Sequence, residues 1–458
     1  MLLAAFAAAL VLAGQALACS CLVGDPRDML ERSAGAFTGT LVDRVVEGEQ
    51  ALHTFSVEHA VKGSLGPTVQ VRSHRDGATC GLEIAVGQRV GLFLDREGDT
   101  WTSILCQQID PDELLAAAEP LPAPTGSGPV SMLVGGSFGD VRTVALDERG
   151  RVLAYGAGDG DVLALSVCPG SEYAVEIVGL PFEAGGGYAV DVRDLATMAI
   201  TGRLGLPRNF AASYPEAIRC LDRAGAGAVV FTRDLGDGSR PDRVLRLMAG
   251  GSDVVWRGSA WSASFDSRRA YLCKGAKGTR AVAVSLATGR ETLLAKLPSF
   301  VGPLSPSPDG RYLAGVAFSS PRSGDAPSRA VVADLMTDRV RTAPLGEPYV
   351  TGEMHWLSPK RVVFAPVRSF DRIRVYSPAL RLMARGELLA ASDATLAGDR
   401  LLALAGSLVV EASPPGARLT DLTALPSPVV NAIEPVPGRV TSSGGGLSDG
   451  AIARRHGA

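Results

Sequence analysis

The chain has 458 residues, enough for about three average domains, and its 46% hydrophobic and 20% charged residues are an ordinary globular composition. Lys and Arg number 45 against 48 Asp and Glu, a formal net charge of -3, and no basic run occurs, so nucleic acid is not expected as a partner. The 54 Gly and 29 Pro are scattered, which indicates short strands joined by tight turns and excludes a linker protein.

Residues 1–18 predict an export signal. From Leu2 to Ala13 there is neither a charge nor a helix breaker, and Ala16-Leu17-Ala18 before Cys19 fits a signal-peptidase site. Lipoprotein processing would also cut before Cys19 and acylate it, although it prefers Leu where Ala16 stands. We therefore predict a secreted protein, with a lipid-anchored cell-surface protein as the alternative. No second apolar run of ~20 residues follows, so no membrane span is expected.

Four cysteines characterise the first predicted domain, residues 19–109: Cys19, Cys21, Cys80 and Cys106. Export permits disulfides, and four cysteines allow three pairings. Cys19 and Cys21 flank a single residue, so a direct bridge between them would be strained, and they suit two different partners.

The same domain is rich in strand patterns. Asp25 and Pro26 predict the cap and the first turn of a short helix over 27–33. Strands are predicted over residues 35–46, 53–62, 68–73, 83–94 and 100–106. Closure into a small barrel is the economical arrangement, because it limits exposed strand edges.

A family resemblance rests on several motifs of this domain. They are Cys19-Ser20-Cys21 after the signal, Pro26, residues 34–41, Val61-Lys62-Gly63, Thr79-Cys80-Gly81, and Trp101 before Cys106. Together they resemble bacterial versions of the netrin-like OB-type domain found at the N-terminus of the tissue inhibitors of metalloproteinases. The chain lacks the further cysteines and the second domain of the animal inhibitors.

The resemblance implies a disulfide pattern and a protease contact. The implied bridges are Cys19–Cys80 and Cys21–Cys106. The freed amine and carbonyl of Cys19 would chelate the zinc of a secreted protease, and Ser20 would enter its specificity pocket.

Residues 110–129 predict a short helix followed by a Pro-rich linker. Residues 130–437 then repeat a strand, a turn rich in Asp, Gly or Arg, and another strand. Copies begin near residues 144, 218, 263, 304, 355 and 394, and residues 304–314 are the sharpest. A period of ~40–50 residues predicts a β-propeller of six or seven blades, and the first interval of about 75 residues must hold an insertion or an unrecognised copy. The repeat resembles Trp-Asp-repeat and Tol-type propellers, so the predicted fold class is all-β.

The remaining motifs predict no catalytic residue, no metal and no cofactor. Residues 135–139 fit G-x-S-x-G but lead into a strand instead of a helix, so Ser137 is predicted to be a turn residue. His355 beside Trp356 is predicted to pack in a blade, and the acidic loops 158–161 and 234–238 lack the full ligand run for calcium. Among Cys168, Cys220 and Cys273 we expect one disulfide and one buried thiol. Residues 438–458 are predicted to be a disordered tail.

The sequence thus predicts a monomeric, non-enzymatic binding protein whose propeller surface recognises an extracellular protein or a glycan. One alternative is a metalloprotease inhibitor that acts through Cys19. Another is a hydrolase or lyase on the propeller, which converging carboxylates or histidines in the central channel would favour.

Overall fold

The structure is a computed structural model that describes residues 25–138, 140–180, 187–207, 213–234, 241–274, 279–318, 327–348, 352–367, 370–397, 400–405, 408–412, 420–425 and 430–436. The predicted signal, Cys19, Ser20, Cys21, most of the 234–238 loop and the predicted tail lie outside these residues. The chain divides into two compact units, residues 1–122 and 123–458. No helix among the described residues is long and apolar enough to cross a membrane.

From residue 25 onward, the first unit contains two short α-helices and six strands. They are α1 (Pro26–Arg32), β1 (Gly35–Glu47), β2 (Gln50–Lys62), β3 (Thr68–His74), β4 (Arg89–Glu97), β5 (Thr100–Thr102), β6 (Gln108–Ile109) and α2 (Pro111–Ala118). Asp25 caps α1 as predicted, because its carboxylate accepts hydrogen bonds from the backbone N–H groups of Arg27 and Asp28. The predicted strand over 83–94 begins only at Arg89, and the one over 100–106 ends at Thr102 because a 3₁₀ turn follows at Leu105–Gln107.

The strands of the first unit pair in an order that closes on itself. The order is β1-β2-β3-β5-β4, and β1 also pairs with β4, from Gly35 opposite Leu94 to Thr40 opposite Arg89. The β3–β5 pair is parallel, whereas the other pairs are antiparallel. Phe37, Phe55 and Leu92 belong to the buried apolar cluster of these strands.

In the described residues of the second unit, the regular secondary structure consists of β-strands alone. They are β7 (Met132–Phe138), β8 (Val141–Leu146), β9 (Val152–Ala157), β10 (Asp161–Val167), β11 (Tyr173–Gly179), β12 (Tyr188–Asp194), β13 (Ile200–Leu204), β14 (Ser213–Cys220), β15 (Gly227–Asp234), β16 (Asp242–Met248), β17 (Gly251–Gly258), β18 (Ala260–Phe265), β19 (Arg269–Lys274), β20 (Arg280–Ser285), β21 (Glu291–Lys296), β22 (Phe300–Val301), β23 (Ser305–Pro306), β24 (Tyr312–Phe318), β25 (Pro327–Asp334), β26 (Arg339–Pro348), β27 (Gly352–Ser358), β28 (Arg361–Pro366), β29 (Phe370–Tyr376), β30 (Leu382–Ala390), β31 (Asp393–Ala397), β32 (Arg400–Ala405), β33 (Leu408–Ala412), β34 (Thr420–Ala424) and β35 (Val430–Pro435).

These strands form seven successive sheets, an arrangement typical of a propeller. Six sheets are built from consecutive strands: β10–β13, β14–β17, β18–β21, β22–β26, β27–β30 and β31–β34. The seventh has the order β35-β7-β8-β9, so the last strand of the ring completes the sheet that the first strands began. The sheet β10–β13 lies in the long interval between the sequence copies at residues 144 and 218. This interval therefore contains a copy of the repeat that the sequence pattern did not reveal.

Apolar side chains pack between neighbouring sheets. One buried cluster joins Val175 and Ile177 of β11 to Val230 of β15, and another joins Tyr271 of β19 to Leu313 of β24. The predicted turn over residues 304–314 is present: Gly310 has φ 70°, and the Ser307 hydroxyl donates to the Asp309 carboxylate at 2.6 Å.

The propeller cysteines divide as expected. Cys168 and Cys220 form a disulfide that links the segment after β10 to β14. Cys273 is a buried thiol, and burial raises its pKa to about 11.

A buried charge network lies between the β35-β7-β8-β9 sheet and the β10–β13 sheet. The Glu176 carboxylate accepts hydrogen bonds from Arg142 Nε (3.1 Å), Arg193 Nε (2.6 Å) and Thr143 Oγ1 (2.6 Å). Arg142 Nη2 also donates to Asp191 at 2.7 Å. Because at most 1% of any of these side chains is exposed, every charge depends on its partners in the network.

Candidate functional site

A cavity of about 720 Å³ lies among the first strands of the propeller sheets. Its wall is formed mainly by β10, β14, β18, β27, β31 and β35, and Pro303 joins them from the segment between β22 and β23 of the remaining sheet. All seven sheets therefore contribute to it, which places the cavity at the centre of the ring. Its titratable lining residues are Glu216, Arg219, Glu353, His355, Asp393 and Glu434.

Glu434 on β35 is a carboxyl group of this cavity whose pKa is raised. Burial raises its pKa to about 7, the nearby Arg219 lowers it, and the carboxylate of Asp393 raises it further. Arg219 Nη1 lies 3.6 Å from Glu434 Oε1, and Asp393 accepts a hydrogen bond from the backbone N–H of Ile433 at 2.9 Å. The raised pKa favours the protonated form of Glu434 in this cavity.

Glu353 and His355 reach the cavity together because they are two residues apart on β27 and share a face. His355 Nε2 lies 3.4 Å from Glu353 Oε2. Burial lowers the pKa of His355 to about 4, so the imidazole is neutral at pH 7. We predicted that His355 packs in a blade; its side chain also lines the central cavity. Its neighbour Trp356 points to the opposite face, where its indole N–H donates to the Ser305 carbonyl at 2.9 Å.

The Glu216 side chain of the cavity is paired with a cation. Arg233 Nη2 lies 2.9 Å from Glu216 Oε2, and its guanidinium lies 5.4 Å from the ring centre of Trp261. Trp261 is 39% exposed and lies near the start of β18, the strand that also carries the cavity-lining Phe265.

The site residues predicted from the sequence lie in the first unit. Cys19, Ser20 and Cys21 fall outside the described residues, so the protease contact stays a prediction. Cys80 and Cys106 both take part in disulfide bonds. The Leu105 N–H donates to the Cys80 carbonyl at 2.9 Å, so the two cysteine segments adjoin.

Two other sequence predictions concern catalysis and metals. Ser137 lies within strand β7 and is buried, so its assignment to a turn was wrong. Within the described part of the chain, no group of three or more His, Cys, Asp or Glu residues is arranged to hold a metal ion.

No protein-family model and no curated protein matches this sequence. Among similar solved structures are hydrazine synthase from Kuenenia stuttgartiensis (14% identity, TM-score 0.43, covering 62% of this chain and 93% of that chain) and the dihydro-heme d1 dehydrogenase NirN (13%, 0.44, 72% and 86%). TolB from Acinetobacter baumannii is a third (13%, 0.37, 77% and 81%).

These findings correct one prediction from the sequence. We expected from the sequence that the protein is not an enzyme. The comparisons contradict this expectation, because hydrazine synthase and NirN, which are enzymes, are among the similar solved structures. The carboxylates and histidine expected of a propeller enzyme do line the central cavity. The low identities assign no reaction to this chain.

Proposed function

We propose that the chain is an exported binding protein whose propeller takes part of a protein or glycan partner into the central cavity. The observation that carries the proposal is the cavity itself. Its volume of about 720 Å³ lies within the range of roughly 300–1,000 Å³ that is usual for ligand sites. Its wall combines apolar side chains such as Leu163 and Phe265 with a few charged groups, the composition expected of a specific binding site.

The test uses a substitution that places a large side chain in the cavity and changes no other part of the ring. Thr395 on β31 lines the cavity, whereas Thr288 lies in an exposed turn of the same unit. Binders are selected from a glycan array and a random-peptide display library, then measured against Thr395→Trp and Thr288→Trp. We expect affinity to fall at least ~10-fold in Thr395→Trp only, since ~1.4 kcal/mol of lost contacts suffices. Binders that ignore Thr395→Trp, or an absence of any binder, would refute the proposal.

Export and the processing of Cys19 are part of this proposal. The Cys168–Cys220 disulfide supports an oxidising compartment. Intact-mass spectrometry of the mature protein tests the processing. We expect an unmodified N-terminus at Cys19, whereas an acylated Cys19 would instead establish a surface lipoprotein.

We further propose a netrin-like OB-type fold for the first unit, with protease regulation through Cys19 and Ser20. The closed order β1-β2-β3-β5-β4-β1 with its parallel β3–β5 pair supports this, as do the disulfide bonds of Cys80 and Cys106. Secreted zinc proteases are titrated with the wild-type protein and with a variant that carries an extra N-terminal Ala. Inhibition by the wild type alone supports chelation by the Cys19 amine; equal inhibition, or none, rules it out.

A hydrolase or lyase in the same cavity is the second candidate, because a carboxyl group with a pKa of about 7 is suited to general acid–base work. Its test is a panel of hydrolase and lyase substrates with wild type and Glu434→Gln. A turnover that falls at least ~100-fold in the variant supports it, and a turnover that is unchanged contradicts it.

A further inference from the structure

We propose that His53 makes the first unit acid-sensitive: protonation of its buried imidazole loosens the contact among β2, β3 and the segment of residues 80–84. The inference concerns a conformational change within the first unit. It goes beyond the proposed binding function and does not depend on it.

His53 occupies a core position of β2. Its residue is 0% exposed, and it alternates along the strand with the buried Ala51 and Phe55, so the three side chains share one face. The ring centres of His53 and Phe55 are 6.3 Å apart. Arg44 of β1 and Val71 of β3 are its partners on the neighbouring strands. A titratable ring therefore stands where the pattern of the strand calls for an apolar one.

The hydrogen bonds around His53 assign the proton of its neutral ring. The Ser73 hydroxyl donates to the His74 carbonyl at 2.8 Å and accepts from the Leu82 backbone N–H at 3.4 Å. His53 Nδ1 lies 3.5 Å from the same Ser73 oxygen. A hydroxyl has one proton to donate and two lone pairs, so Nδ1 carries the imidazole proton and donates it to Ser73. Nε2 is then the bare nitrogen, and within the described part of the chain it has no hydrogen-bond partner.

A second proton on this ring would be unfavourable in the closed structure. It would bind at Nε2, which adds a buried N–H group without an acceptor, together with a buried positive charge. The charge would lie near the Arg44 guanidinium, which donates to the Arg75 carbonyl. Burial and the charge of Arg44 lower the pKa of His53, and the backbones of Ala51 and Val71 offset this only in part.

Carboxylates do not compensate the added charge at close range. Burial and Arg44 are the causes that lower the pKa of His53, and a carboxylate is not among the groups that raise it. The other titratable residues on the adjoining strands and the following turn are exposed or half-buried: Asp43, Glu47, Glu49, Arg72, His74, Arg75, Asp76 and Glu83.

The segment after Cys80 is the part of this contact that can open locally. Residues 80–88, which the structure describes in full, contain neither a helix nor a strand. Leu82 is 1% exposed, packs in the same apolar cluster as Phe55, and its N–H is bound to Ser73. Protonated His53 can no longer stay in its pocket at low cost, so movement of this segment away from β3 gives the imidazolium access to water.

The sign of the effect follows from the lowered pKa. An imidazole exposed in the open form takes up a proton below its ordinary pKa of 6.5, whereas the closed form resists it. The closed form is therefore fully favoured above pH 6.5 and loses stability as the pH falls below that value. Asp25 cannot mimic this behaviour. Burial raises its pKa to about 7, so its contribution is lost as the pH rises.

The experiment measures hydrogen–deuterium exchange of the full chain by mass spectrometry at pH 5.5 and 7.5. Exchange rates in peptides that cover residues 50–56, 68–74 and 80–84 are divided by the rates of an unstructured chain at the same pH. We expect ~10-fold more opening at pH 5.5, because one proton binds the open form with a pKa near its ordinary value. His53→Asn and His53→Leu should both abolish this difference. His59→Leu, at an exposed position of the same strand, is the control and should retain it.

Equal opening of the wild type at the two pH values would overturn the proposal. A pH dependence that survives in both His53 variants, or that disappears in His59→Leu, overturns it as well. If neither His53 variant folds, imidazole ¹⁵N spectra of the wild type at pH 5.5 decide. A neutral His53 ring with its proton on Nδ1 in the closed form supports the proposal, and an imidazolium in the closed form refutes it.

Discussion

Replacing Glu176 by Gln should strongly destabilise the propeller. The carboxylate is fully buried between two sheets and accepts hydrogen bonds from Arg142, Arg193 and Thr143. Gln has the same shape, but its NH₂ group cannot accept a bond from an Arg. The substitution therefore leaves guanidinium charge buried and only partly compensated, chiefly at Arg193, because Arg142 keeps its bond to Asp191.

Removing one partner of a buried ion pair lowers the free energy of unfolding by about 3–5 kcal/mol. In a unit of this size ~1 kcal/mol shifts the melting temperature by roughly 2 °C, so a decrease of roughly 6–10 °C is expected. Three of the chain's four Trp residues lie in the propeller, so fluorescence during denaturant unfolding reports on this unit.

The matched control is Glu291→Gln. Glu291 pairs with Lys274 at 2.5 Å, but its side chain is 36% exposed, so its loss should cost about 1 kcal/mol or less. If Glu176→Gln destabilises the protein no more than Glu291→Gln, the buried network does not hold the two sheets together and the reasoning is wrong. Added salt should weaken the Glu291 pair and leave the Glu176 network nearly unchanged.

Three further outcomes are expected. Replacing both Cys168 and Cys220 by Ala should lower the free energy of unfolding by about 2–4 kcal/mol, because their bridge spans a sequence separation of 52 residues; an unchanged denaturation midpoint would contradict this. Since the native pKa of Glu434 is raised from 4.5 to about 7, the native state holds this proton more tightly and its stability should decrease as pH rises from 4.5 to 7; Glu434→Gln should flatten that slope, and an identical slope in both proteins would disprove the assignment. Gly81→Ala should destabilise the first unit by about 2 kcal/mol or more, because the added Cβ would lie 2.1 Å from the His74 carbonyl oxygen; near-wild-type melting would show that the turn yields.

The repeat could be predicted from the sequence where its turns contain residues that favour tight turns. Residues 304–314 contain Asp309-Gly310, and a Gly with positive φ is what a tight turn between strands requires. The sheet β10–β13 escaped detection because its first hairpin turns through Pro169-Gly170-Ser171 and lacks the Asp-Gly signal.

The burial of the charge network could not be predicted from the alternation of polar and apolar residues along its strands. In β12, Asp191 and Arg193 alternate with Val190 and Val192, which is typical of a strand with one face in water. A sheet packed between two neighbours has no solvent face, so both sets are buried. The cavity was hidden for a related reason: Glu353 and Glu434 are far apart in sequence, and only closure of the ring brings their strands to one centre.

Pairing of β35 with β7 also constrains how the protein is made. The two strands of this contact are separated by nearly the whole second unit, so during synthesis the sheet that contains β7, β8 and β9 stays incomplete until residues 430–435 leave the ribosome. Cys168 and Cys220, by contrast, emerge early and lie in adjoining sheets. A bridge formed between them would hold the first part of the ring in register while its last strand is still absent.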